Sequence, residues 1–137
     1  MRIRPPSAVS IATSDSGGGA GIQADLLTFA AHGVYGATVL AAGTAQNTRA
    51  VTAIETFATG FLTKQIDAVF SDLRPRAVKI GMLFDASRIQ AVARGLRRHR
   101  RGTSSWIPSW WRSRAPGSCS APPPQAWSAI FCRSATS

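Results

Sequence analysis

Across residues 8–101 the pattern of apolar and polar positions changes period several times. Residues 8–13 are a run of apolar and small side chains, as in a short buried strand, whereas Ile22, Leu26, Phe29 and Ala30 recur at helical spacing. Residues 37–44 are small and β-branched enough for a second buried strand, which leads into a Gln46-Asn47-Thr48 loop. Residues 51–57 alternate in the manner of a short edge strand or hairpin arm. A helix capped by Thr59 is expected next, with Leu62, Ile66, Val69 and Phe70 on one face and Pro75 beyond its end. Residues 77–80 read as a third buried strand. Asp85 or Ser87 then caps a helix whose Ile89, Val92, Ala93 and Leu96 share a face. Its last turn is basic, from Arg97 to Arg101, and cations there complement the helix dipole. Strands alternating with helices predict parallel strands with helices on both faces, and ligands of such sheets bind beyond the strands' C-terminal ends.

Between the first strand and the first helix lies Ser14-Asp15-Ser16-Gly17-Gly18-Gly19-Ala20-Gly21. Glycine permits positive φ and close approach, and the first N–H groups of a helix face a polar or anionic ligand, so this is either a ligand cradle or a purely structural turn. Gly19, Gly21 and Ala24 fit a loose dinucleotide pattern, but no acidic residue stands about 20 positions further on. A P-loop is excluded, because no Gly-Lys-Ser/Thr occurs.

Charge divides the chain. The net charge is +10, yet all six acidic residues precede position 86, and residues 94–137 carry eight arginines and no acid. Residues 1–93 hold eight Lys/Arg against six acids, a balance that suits a soluble enzyme, with the cytoplasm as its default compartment. All four tryptophans, both cysteines and the Pro122-Pro123-Pro124 run lie after residue 101, without apolar periodicity. An Arg/Trp tail can contact phosphates and stack on bases. Cys119 and Cys132 fit no zinc spacing, and neither His32 nor His99 has a partner at metal spacing. Membrane spans and a signal peptide are not expected, since no apolar run is long enough.

Four ordered segments carry a resemblance. Ser14-Asp15 with Gly-Gly-Ala-Gly-Ile-Gln-Ala-Asp25, Gly33-Val34-Tyr35-Gly36, Thr44-Ala45-Gln46-Asn47-Thr48 and Val78-Lys79-Ile80-Gly81-Met82-Leu83 resemble the hydroxymethylpyrimidine/phosphomethylpyrimidine kinase family. The resemblance runs from about Val9 to about Arg101. It implies the N-terminal half of a ribokinase-like α/β parallel-sheet sandwich over residues 1–101, followed by an irregular tail over 102–137. When residues 104–112 are written in G- or C-ending codons and read from each third base, they give Val-Val-Asp-Pro-Val-Val-Val-Ala, similar to the family's next strand. The tail is therefore expected to come from a shifted reading frame, which makes nucleic-acid binding through it an unfavoured alternative.

The family function implied is ATP-dependent phosphorylation of 4-amino-5-hydroxymethyl-2-methylpyrimidine and its monophosphate in thiamine biosynthesis, with Mg²⁺ on the nucleotide and a homodimer as the possible assembly. A pyrimidine with an amino group presents a donor beside a ring acceptor, and a primary amide answers both. The match places Gln46 in that role, where it would otherwise be a loop-capping residue. Met82 would line an apolar wall beside the ring or be simple core. Gly19 and Ala20, in the glycine turn, match the substrate side, and a side chain larger than alanine at position 20 would occlude the ligand. Asp15 would accept from the substrate hydroxymethyl group or orient the loop. Lys79 would reach a phosphate or be solvated. Family members usually carry glycine where Thr13 stands, so a β-branched side chain there would narrow the pocket or lock the strand end. The glycine-rich phosphate cradle and its catalytic carboxylate belong to the family's C-terminal half. No residue after Asp85 supplies a carboxylate, so no catalytic residue is assigned and the nucleotide site is expected to be missing. The chain is expected to be inactive, a non-catalytic pyrimidine-binding module being the alternative.

Overall fold

A computed structural model of the chain describes residues 5–99 and 106–108. In chain order the elements are β1 (Ser7–Asp15), α1 (Gly21–Ala31), β2 (Tyr35–Gln46), β3 (Val51–Thr56), α2 (Thr59–Asp72), β4 (Ala77–Ile80), α3 (Ala86–Arg98) and β5 (Trp106–Pro108). The sheet order is β3-β2-β1-β4-β5. β1 pairs in parallel with β2 and β4, and β4 with β5, while β3 returns antiparallel along β2. The parallel sheet thus carries one antiparallel edge, the hairpin arm foreseen over residues 51–57.

The period of two in the strands separates the two layers of helices. Val9 and Ile11 of β1, Val39 and Ala41 of β2, and Val78 and Ile80 of β4 join one cluster with Leu62, Ile66 and Phe70 of α2 and Ala91, Val92 and Leu96 of α3. Complete burial of a side chain such as Leu62 or Ile66 contributes about 1.5–3 kcal/mol. The alternate residues Ser10 and Lys79, which are register partners, reach α1 on the opposite face. Helices therefore cover both faces.

β2 is longer than β3, and a register shift on β1 falls where Ala12 pairs Leu40 and Thr13 pairs Ala42. The backbone of Leu40 is completed by a side chain instead of a strand. Gln65 of α2 accepts from the Leu40 N–H at 2.9 Å and donates to its carbonyl at 3.1 Å.

Local signals hold in part. Asp85 is the N-cap of α3, its Oδ1 accepting from the Arg88 N–H, and Ser87 donates to the same oxygen. α2 departs from expectation: Ala58, in an extended conformation, occupies the N-cap without a side-chain bond, and Thr59 is already the first helical residue. Thr59 contributes its carbonyl to Thr63 Oγ1 instead of a cap. α3 ends at Arg98, so of the expected basic turn Arg100 and Arg101 lie outside the described residues. Within the segment expected to be irregular, the backbone of Trp106–Pro108 is a strand, in register with Val78–Ile80. Pro108 is its last described residue, on a strand at the edge of the described sheet, where a missing N–H costs least. The rest of the 102–137 expectation falls outside the described residues.

α2 and α3 are also joined by charge. Asp67 receives Arg98 at 2.8 Å and His99 Nε2 at 2.7 Å, and the Phe70 and His99 rings lie 5.7 Å apart. The hydrogen bond from His99, and then Arg98, hold the Asp67 carboxyl below its usual pKa of 3.8. A depressed carboxylate stabilises the fold fully above the unfolded pKa and loses that contribution as pH falls through the folded value. In urea titrations, the stability gap between wild type and Asp67→Asn is expected to be constant at neutral pH and to shrink below about pH 4. A gap unchanged at pH 3 would show that ionisation of Asp67 is not its source.

Candidate functional site

The C-terminal ends of β1, β2 and β4 meet at an open cleft of about 210 Å³. Thr13, Ser14 and Asp15 come from β1, Ala20 and Gly21 from the glycine turn, Thr44 and Gln46 from β2, and Lys79, Gly81 and Met82 from β4 and the segment after it. Topology gathers these residues at one rim. The neighbours of β1 on either side are separated from it by crossovers, and the rim lies where strand order turns from β2 to β4.

The glycine turn is held from within. Asp15 Oδ1 accepts from the Gly17 N–H at 2.8 Å and Oδ2 from the Ala20 N–H at 2.9 Å, while the Gly18 N–H reaches the Asp15 carbonyl. Both oxygens of this buried carboxylate thus bind and orient the loop. Gln23 on α1 braces the other side, its Oε1 accepting from the Asp15 N–H and its Nε2 donating to Ser14 Oγ. Gly21 opens α1 at φ +59°, and a Cβ there would stand 2.4 Å from the Thr13 carbonyl oxygen. Only glycine fits that junction.

Gln46 sits opposite. Its backbone is clamped by Ser16, whose hydroxyl accepts from the Gln46 N–H and donates to the Gln46 carbonyl, both at 2.7 Å. Thr44 Oγ1 lies 3.0 Å from the Ser14 carbonyl and 3.2 Å from Gln46 Oε1, so its one proton serves one of them at a time. Gln46 Nε2 has no hydrogen-bond partner among the described residues and remains available as a donor at the rim.

Met82 lines the cleft with 58% of its surface exposed, so it is wall and not core. Ala20 lines it too, as the N-cap of α1, whereas Gly19 is exposed in the turn and does not line the cleft. Lys79 lines the cleft, and its ammonium pairs with Asp25 of α1, which also accepts from Ser10 Oγ at 2.5 Å. In this partly buried ion pair the added hydroxyl bond satisfies the remaining oxygen of Asp25. Ser16, Gln23 and Asp25 stand in the glycine-turn segment, but no sequence signal assigned them a role. Ser10 stands between Val9 and Ile11, and Lys79 between Val78 and Ile80, so a polar pair interrupts the apolar runs of two neighbouring strands. That was the available signal for Asp25.

An open α/β sheet with helices on both faces, binding at its strand ends, is the class of fold seen in ribokinase-like small-molecule kinases. A crystal structure of phosphomethylpyrimidine kinase from Clostridium difficile superposes with a TM-score of 0.72 at 46% identity, covering 75% of this chain and 44% of that one. An ADP complex of Bacillus subtilis pyridoxal kinase superposes at 0.70 with 30% identity, covering 77% of this chain and 39% of that one. The hydroxymethylpyrimidine/phosphomethylpyrimidine kinase of Rhizobium meliloti is 64% identical over 91 residues, 66% of this chain and 34% of that protein. The family pattern described as phosphomethylpyrimidine kinase matches residues 15–105. The chain belongs to the phosphomethylpyrimidine kinase family, and it spans about a third of the length of the curated relative from Rhizobium.

Proposed function

We propose that residues 1–101 are the pyrimidine-binding part of a hydroxymethylpyrimidine/phosphomethylpyrimidine kinase of thiamine biosynthesis. The observation that carries this is the position of Gln46 at the cleft rim with its amide nitrogen unpaired, facing a site walled by Met82 and floored by the glycine turn. The amide nitrogen donates to a ring nitrogen and the amide oxygen accepts from the exocyclic amine; Thr44 keeps the amide oriented by sharing its proton between Ser14 and Gln46. Ala20 leaves the floor open to the ring, and Asp15 fixes the turn beneath it.

ATP and Mg²⁺ enter this reading as what the family resemblance implies for a whole kinase. When bound, they supply the transferable phosphoryl group and neutralise its charge. The donor set of the described cleft does not fit them: the Lys79 ammonium is committed to Asp25, and the Asp15 oxygens to the turn. The nucleotide side is assigned to the sequence that the shifted frame after residue 101 would encode. A cytoplasmic homodimer belongs to the same reading. Among the described residues, no helix is long and apolar enough to cross a membrane.

Calorimetric titration of the 137-residue chain with 4-amino-5-hydroxymethyl-2-methylpyrimidine is expected to show saturable binding. Gln46→Ala leaves the ring's donor and acceptor unpaired, which costs about 1–3 kcal/mol, or roughly 5- to 150-fold in affinity. Equal affinity of wild type and variant, with both chains folded, would remove Gln46 from the site.

A further inference from the structure

The end of β1 is tied to the segment that carries Met82, and the tie runs through one side chain. Thr13 is buried, lines the cleft, and donates from Oγ1 to the Met82 carbonyl at 3.1 Å. Just before it, the Gly81 N–H reaches the Ile11 carbonyl at 2.9 Å, and a Cβ on Gly81 would lie 2.6 Å from the Ala12 Cβ. The two backbones are therefore in direct apposition at the strand ends, and the chain leaves that apposition at Met82.

The turn beyond Met82 is strained. The Asp85 N–H bonds the Leu83 carbonyl at 2.9 Å across a single residue, Phe84, which has φ +68°. A three-residue turn with a non-glycine residue at positive φ is rare and is maintained only where its surroundings hold it. Its far end is held by the α3 cap at Asp85, and Leu83 is anchored in the core. Its near end is held by the Thr13 hydroxyl. Met82 lies between these anchors with its side chain exposed at the cleft.

We propose that Thr13 determines the selectivity of this cleft, by two separable parts of one side chain. The hydroxyl pins the segment of residues 82–84 so that Met82 keeps a fixed distance from the ring. The methyl group occupies space at the end of β1 that a more heavily substituted ring would need. This rests on the pyrimidine reading above. Hydroxymethylpyrimidine carries three ring substituents and pyridoxal four, so pyridoxal is the congener that tests the space.

Three substitutions separate the parts: Thr13→Ser keeps the hydroxyl and drops the methyl, Thr13→Val keeps the bulk and drops the hydroxyl, and Thr13→Ala drops both. Two readouts are needed on the 137-residue chain, the affinity ratio for 4-amino-5-hydroxymethyl-2-methylpyrimidine over pyridoxal, and amide hydrogen exchange at Asp85. Thr13→Ser and Thr13→Ala are expected to lower the ratio about tenfold, the usual effect of a methyl-sized change in an apolar pocket. Thr13→Val and Thr13→Ala are expected to speed Asp85 exchange about tenfold, while Thr13→Ser leaves it within about twofold of wild type. If wild type binds the pyrimidine and neither the ratio nor the exchange follows this division, the role of Thr13 is overturned and the proposed function stands. If wild type binds neither ring, the proposed function falls and the selectivity role falls with it.

Discussion

ATP turnover that depends on added hydroxymethylpyrimidine is expected only from a version of this chain re-encoded from codon 102 in the alternative frame, and not from the 137 residues as they stand. Transfer of a phosphoryl group requires the nucleotide to be positioned, its charge neutralised and the attacking hydroxyl oriented. The last of these needs a carboxylate, and the carboxylates at or beside the cleft are already engaged. Asp15 binds its own turn, Asp25 binds Lys79 and Ser10, and residues 86–137 contain neither Asp nor Glu. Loss of such groups lowers rates by about 10³-fold or more each, so the contrast between the two chains is expected to be near all-or-none. Two measurements check the prediction: a coupled assay on both purified chains, and the nucleotide sequence downstream of codon 102. Pyrimidine-dependent turnover by the 137-residue chain would overturn it, as would a stop codon a few positions into the alternative frame.

The elements were legible because each is specified locally. Period-two and period-3.6 patterns placed the strands and helices, Asp85 announced the cap of α3, and the alternation of element types implied which strand ends share a rim. Asp15, Ala20, Gln46 and Met82 could be placed there together from topology alone. The contacts that organise the site were not legible, because they join residues distant in sequence through side chains with several plausible partners. Lys79 and Asp25 are 54 positions apart, and nothing local to either distinguishes an ion pair across a sheet from two solvated charges. Gln65 gave no sign that it would complete the backbone of Leu40, since the demand is created by β3 being shorter than β2. Thr59 failed as a cap for a related reason: Ala58 had already taken the extended conformation the N-cap position needs, one residue earlier. Gly19, grouped with its neighbours by string similarity, does not line the cleft that Ala20 and Gly21 line.

The glycine turn supplies the second large effect, since its glycines are alike in sequence and unlike in surroundings. Gly21→Ala is expected to destabilise the fold by about 3 kcal/mol or more, because the new Cβ meets backbone that has nowhere to move: the Thr13 carbonyl oxygen at 2.4 Å and the Asp15 nitrogen at 3.1 Å. The residue is also at φ +59°, where a side chain adds about 1–2 kcal/mol of its own. Gly18→Ala, at φ +77° with open space around the Cβ, bears only that conformational term. Gly19→Ala places its Cβ 3.9 Å from Asp15 Oδ2, an ordinary contact, and should be close to neutral. For a domain of this size 1 kcal/mol corresponds to about 4–8 °C, so melting curves should separate the three variants in the order Gly19, Gly18, Gly21, the last by roughly 12 °C or more. Function should follow the same order, since pushing on the Thr13 carbonyl and the Asp15 nitrogen shifts the two residues that connect the turn to the Met82 segment and to Gln23. Melting temperatures for Gly21→Ala and Gly18→Ala within a degree or two of each other would mean that the junction of β1 and α1 relaxes freely, and that the turn does not set the floor of the cleft.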